Sequence, residues 1–100
     1  MSKALTREQR LLLLEAARRY KEFYKDGAPL TLVHTGLGTA KEYRPVEDAD
    51  LMRVVPQAGK EKPNTLYWWK LTPKGAAIVR VIVSALTVSQ ICAEIKEAMS

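Results

Sequence analysis

The sequence predicts an α+β domain, and three observations carry that reading. Residues 65–71, Thr65-Leu66-Tyr67-Trp68-Trp69-Lys70-Leu71, have the β-branched and aromatic composition of a strand. They run straight into Thr72-Pro73, where a hydroxyl can cap the first amides and a proline occupies a position that needs none, so a helix starts there. Near the other end, Thr6-Arg7-Glu8-Gln9 is a capping box that opens a first helix.

Residues 1–27 hold that helix. It is expected to run to about Lys25 and to stop at Asp26-Gly27, with Gly27 in the left-handed conformation. Leu12, Leu13, Ala16, Tyr20, Phe23 and Tyr24 share one face at helical spacing. Arg10, Arg18, Lys21 and Lys25 lie largely off that face, partly balanced by Glu15 four residues before Arg19.

Residues 28–50 admit two assignments. In one, Leu30-Thr31 opens a short helix, Thr35-Gly36-Leu37 turns, and a second capping box, Thr39-Ala40-Lys41-Glu42, starts another helix. Pro45 then falls inside that helix, where it removes a backbone hydrogen bond. In the other assignment, 30–35 and 40–44 form a β-hairpin around Gly36-Leu37-Gly38.

Residues 51–71 read as a hairpin: a strand over 51–55 ended by Pro56, a polar loop, and the return strand over 65–71. Trp68 and Trp69 must point to opposite faces, so one enters the core and the other is left for an interface.

Residues 72–100 are expected to form one long helix. Ile78, Val81, Ala85, Val88, Cys92, Ile95 and Met99 alternate three- and four-residue steps, the spacing of a coiled-coil seam. Val79, Ile82, Val83 and Leu86 widen the apolar surface early on, while Glu94, Lys96 and Glu97 face water later. The β-branched run at 79–83 also suits a strand, but Thr72-Pro73 favours helix.

Composition bounds the function. With 100 residues, 47% hydrophobic and 27% charged, the chain makes one domain with a modest core. A single cysteine excludes an internal disulfide, and Cys92 is expected as a small core residue. Charged residues follow the N-terminus closely, without a signal-peptide pattern, and the apolar stretch 76–88 is interrupted by Arg80 and too short to span a bilayer. A cytoplasmic protein without a membrane partner is expected. The net charge of +5 suits an acidic partner. Residues 1–25 hold seven Lys/Arg against three Glu, 26–71 hold six of each sign, and 72–100 hold three against two. The surplus therefore lies on the first helix.

The segment Trp69-Lys70-Leu71-Thr72-Pro73-Lys74-Gly75, placed after a hairpin and before a helix, resembles winged helix-turn-helix regulators, whose last wing strand and next helix often carry Tyr/Trp-x-Leu-Thr-x-x-Gly. The resemblance implies a winged helix-turn-helix with a long C-terminal dimerisation helix. It further implies a homodimer that binds double-stranded DNA and regulates transcription, with 28–50 as the helix-turn-helix and 51–71 as the wing. Under it, Thr39, Lys41, Tyr43 and Arg44 face the bases, with Arg44 the candidate guanine contact. Lys60, Lys62 and Asn64 become wing contacts to the backbone, and Arg18, Lys21 and Lys25 neutralise phosphates. Val81, Ala85, Val88, Cys92, Ile95 and Met99 hold the dimer. The alternative is a protein-interaction module that binds no DNA, such as a phage- or plasmid-type inhibitor of a larger complex. The neutral middle, Pro45 and the extra tryptophan favour it.

No reaction centre is legible. His34 is the sole histidine and no Cys-x-x-Cys is present, which argues against a zinc site. Gly36-Leu37-Gly38 lacks the longer glycine pattern and the Lys-Ser/Thr of a phosphate-cradling loop. Glu47, Asp48 and Asp50 suit a solvated loop or a helix start. The expectation is a non-enzymatic protein without metal or cofactor.

Overall fold

The capping box at Thr6 forms as its spacing predicts. Thr6 Oγ1 accepts the Gln9 amide at 3.1 Å, and the Gln9 side chain accepts the Thr6 amide at 3.0 Å. Helix α1 follows over Arg7–Phe23, and Gly27 takes a φ of +88°, the left-handed conformation glycine adopts most readily. The computed structural model describes residues 4–55 and 65–100. Among these the fold is α+β, four α-helices around one small antiparallel sheet.

After α1 comes a single 3-10 turn, Leu30–Leu32, and then strand β1, His34–Gly38. Helix α2 covers Ala40–Asp48, strand β2 Met52–Val54 and strand β3 Tyr67–Leu71. Helices α3, Pro73–Ala85, and α4, Val88–Met99, complete the chain. Strand order is β1-β3-β2. Trp69, Leu71 and Met52 face inward from the sheet and meet Leu13, Ala17, Val46, Leu51, Val79 and Ile91 in one core.

Neither assignment of residues 30–44 holds as a whole. The expected helix at 30–35 shrinks to the 3-10 turn, because His34 to Gly38 pair with β3 and that ladder fixes their backbone. The expected hairpin fails too, since 40–44 are helical and the strand's partner is β3. Helix α2 runs through Pro45, with Tyr43 and Val46 buried on its inner side. Gln9 Nε2 donates to the Pro45 carbonyl at 3.1 Å.

The long terminal helix is two helices. The chain turns by 118° between α3 and α4, and Leu86 and Thr87 both adopt extended backbone. The cause is local: Thr87 Oγ1 accepts the Gln90 amide at 3.2 Å, and the Gln90 side chain accepts the Thr87 amide at 2.8 Å. This capping box, reciprocal like the one at Thr6, restarts the helix in a new direction. Lys21 Nζ donates to the Val83 and Leu86 carbonyls, satisfying acceptors at the end of α3. The bend folds α4 back along α1 and buries Ile91 completely, a burial worth roughly 1.5–3 kcal/mol.

The expected seam therefore does not form a continuous stripe. Val81, Ala85, Cys92 and Met99 are exposed, Val88 is half-buried, and Ile78 and Ile95 lean on the core. Cys92 is not a core residue, because Ile91 beside it takes the inward position. Phe23, expected on the buried face of α1, is 66% exposed, since the core ends one turn earlier at Tyr20. Glu94 does not simply face water: it pairs with Arg10, while Arg7 donates to the carbonyls of Ala98 and Met99 and so holds the end of α4. Among the described residues no helix is long and apolar enough to cross a membrane.

Thr72 is the hub of the molecule. Its Oγ1 accepts the Gly75 amide at 3.1 Å and donates to the Asp50 carbonyl at 2.5 Å, and its own amide donates to the Leu51 carbonyl at 3.1 Å. Lys74 Nζ adds a bond to the Ala49 carbonyl at 3.2 Å. Asp50, at φ +58°, closes α2, with the Leu51 amide donating back to the Val46 carbonyl at 2.8 Å. The strand-to-helix segment thus fastens the end of α2 to the start of α3.

Candidate nucleic-acid interface

The residues expected to contact nucleic acid do not gather on one face. Tyr43 is 6% exposed and points inward, its ring stacked on Trp69 with centroids 4.6 Å apart and planes 4° from parallel. Gly36 and Gly38 make room for that ring: a Cβ on either would run into it. Burial pushes the Tyr43 hydroxyl above its ordinary pKa, and the charges of Glu15 and Glu42 add to the rise. Tyr43 is therefore a core residue, not a base reader.

Thr39 caps α2 by accepting the Glu42 amide at 3.2 Å, so its hydroxyl is already engaged. Lys41 and Arg44 are exposed as expected, but they share the outer side of α2 with Glu42, Glu47 and Asp48. Two cations against three carboxylates leave that side acidic, a poor match to phosphates.

On α1, Arg18 is held between Glu15 and Glu22. Its hydrogen bond to Glu15 raises the guanidinium above its ordinary pKa. Lys21 is committed to the end of α3. Neither is free to neutralise a phosphate, whereas Lys25 is exposed. Lys60, Lys62 and Asn64 lie outside the described residues.

A different surface brings cations and aromatic rings together: the outer face of the sheet. In an antiparallel ladder, residues directly opposite one another share a face. Arg53 lies opposite Lys70, and Lys70 opposite His34. These three side chains form a row across all three strands. Next to that row, Trp68 lies opposite Leu37. Leu37 is exposed, as is Leu66 two residues before Trp68.

Helix α1 closes one side of this face. The Arg19 guanidinium sits 5.3 Å from the Trp68 ring centroid and 5.5 Å from that of Phe23. The His34 ring stacks on Trp68 at 5.3 Å and 25°. Tyr24 fixes His34 from behind, its hydroxyl donating to the His34 carbonyl at 3.0 Å. Sequence reasoning separated Trp68 from Trp69 correctly but did not assign Arg19, Arg53 or Lys70. The signal was the alternation along Leu66, Trp68 and Lys70, readable once 65–71 is taken as a strand.

Electrostatically the face is basic. Among the described residues, no carboxylate pairs with Arg19 or Lys70, and Arg53 has only a long contact of 3.4 Å with Asp50 between exposed side chains. Such an exposed pair holds its members weakly. Among the described residues, Asp50 is thus the one carboxylate paired with any of the three. No group of three or more His, Cys, Asp or Glu suited to a metal ion occurs among the described residues.

No protein-family model, curated protein or solved structure matches this chain.

Proposed function

We propose that the chain is a non-catalytic DNA-binding protein of winged-helix-like build, and that it contacts DNA through the outer face of its sheet rather than through α2. One observation carries this reading. The row Arg53, Lys70 and His34 stands beside Trp68 and Leu37 on a single exposed face, with Arg19 at its edge. Cations of this kind supply the sequence-independent attraction to phosphates, and it weakens as salt rises.

The β1-β3-β2 sheet order, the passage from α2 into β2 and the Thr72–Gly75 junction after β3 support the winged-helix comparison. The build departs from it between β1 and β2, where one helix stands in place of a helix-turn-helix pair. This departure agrees with moving the contact surface off α2. In this reading Lys41 and Arg44 are flanking groups.

Fluorescence anisotropy with labelled DNA, duplex and single-stranded, from about 50 to 200 mM salt tests the proposal. Affinity is expected to fall steeply with salt for at least one of the two forms. Arg53→Ala with Lys70→Ala should weaken binding and flatten the salt dependence by about one to two phosphate equivalents. Absence of binding by either form at the lowest salt would overturn the reading.

A second reading, association of two copies, is favoured by a separate feature. Leu5, Leu14, Ile78, Val81, Ile82 and Leu86 line an open groove of about 440 Å³ between α1, α3 and α4. Val81 is two-thirds exposed at its rim, and the Arg10–Glu94 pair borders it. A second copy seated there would cover Val81, one of the exposed residues of the expected seam.

A further inference from the structure

The arrangement of the sheet face says more than that it is basic. Its cations Arg53 and Lys70 lie in one row and Trp68 and Leu37 in the next, with the His34 ring and the Arg19 guanidinium set against Trp68. Neighbouring strands are about 4.8 Å apart, and side chains on one face of a strand repeat about every 6.8 Å. The rows are thus separated by roughly the distance between the phosphate and the base of one nucleotide.

A duplex meets a flat surface with phosphates alone, its bases being stacked inside, and would leave Trp68, Leu37 and Phe23 against charged oxygens. A single strand shows phosphates and unstacked bases side by side, and bases stack on aromatic rings whatever their sequence. Arg19 strengthens this match, because its guanidinium already lies against the rings of Trp68 and Phe23 and extends the flat surface toward α1. Phe23 leaves most of its surface to solvent at the edge of the same patch.

We infer that this face binds single-stranded DNA, with phosphates along Arg53 and Lys70 and bases against Trp68, Leu37 and Phe23. The inference rests on the DNA-binding reading and specifies its ligand.

Anisotropy with an oligo-dT, a duplex of equal length and an oligo-rU tests it, with tryptophan fluorescence read in parallel. Oligo-dT is expected to bind at least tenfold more tightly than the duplex and to quench tryptophan emission. Trp68→Ala should weaken oligo-dT binding about tenfold or more, the effect of losing one stacked base. Trp68 is half-buried, so Leu37→Ala and Phe23→Ala, both at exposed positions, provide variants whose folding is not at stake. Each should lower oligo-dT affinity severalfold and by more than it lowers duplex affinity. Equal or tighter duplex binding, or tighter oligo-rU binding, overturns the inference while the DNA-binding or nucleic-acid character stands. Unchanged oligo-dT affinity in the folded Leu37 and Phe23 variants also overturns it. If none of the three nucleic acids binds, the reading beneath it fails as well, and a protein partner takes its place.

Discussion

Gly75 sits where the first turn of α3 passes over the end of α2. A Cβ at that position would fall within contact of the Leu51 carbonyl oxygen, a backbone atom that also accepts the Thr72 amide and cannot swing aside. Gly75→Ala is therefore expected to destabilise the fold by about 3 kcal/mol, at the upper end of the cost of overpacking. Chemical denaturation would show it as a lower midpoint with an unchanged slope. A variant as stable as the parent would mean that α3 can shift away from Leu51. The residue also gives the Leu-Thr-Pro-Lys-Gly segment a physical meaning of its own. Leu71 fills the core, Thr72 joins three backbone groups, Pro73 starts the helix, Lys74 reaches the end of α2, and Gly75 lets the two backbones approach.

At the scale of elements, the bend at Leu86-Thr87 depends on few atoms. Thr87→Ala removes the hydroxyl that accepts the Gln90 amide and should cost about 1 kcal/mol. The loss should be local, with faster amide exchange in the first turn of α4 than in α1; uniform acceleration through the chain would show that the cap governs global stability instead. The same element shows where sequence reading succeeds and fails. The box at Thr6 and the helix starts at Thr39 and Thr72 were legible because each precedes a change of pattern, and all three starts form, Thr39 as an N-cap whose hydroxyl rather than amide meets the Glu42 side chain. Thr87-Val88-Ser89-Gln90 has the same chemistry, but it lies within unbroken three-and-four spacing, and the periodicity masked the cap. Residues 30–38 were ambiguous for a different reason: their conformation is set by a partner strand some thirty residues away, which no local pattern reveals. The same holds for the sheet face. Arg19, His34, Arg53 and Trp68 come from three strands and a helix, and only the ladder register brings them together. Tyr43 illustrates the converse. Its spacing alone allowed an outward position, and the paired glycines of β1 take it inward.

At the scale of the whole molecule, the mixed basic and aromatic sheet face and the apolar groove at α3 are separate surfaces. The sheet face carries Arg53, Lys70 and Trp68, while the groove at α3 carries Val81 with Leu5 and Ile78. If two copies associate through that groove, Val81→Glu should produce monomers in sedimentation velocity without altering affinity for DNA per chain at a short site. A parent protein that is already monomeric, or a variant that remains dimeric, would remove the groove from the assembly. The charge distribution follows the same division. The surplus that the sequence places on α1 is largely consumed within the fold, by Glu15 and Glu22 at Arg18, by carbonyls at Lys21 and Arg7, and by Glu94 at Arg10. Arg53 and Lys70 on the sheet remain beside Trp68, while Lys25, Lys41, Arg44 and Arg80 are exposed elsewhere.

The return of α4 onto α1 also has a kinetic meaning. Arg7 meets Ala98 and Met99, and Arg10 meets Glu94, so the contacts that secure the last helix join positions more than eighty residues apart. Contacts of such separation form only after much of the intervening chain has been ordered, and they slow folding in proportion to their share. The docking of α4 is thus expected late in folding, after Thr72 has joined α2 to α3, and pulsed hydrogen exchange that protects α4 as early as α3 would contradict it. A chain in which α4 is undocked would leave Ile91, fully buried in the fold, open to water.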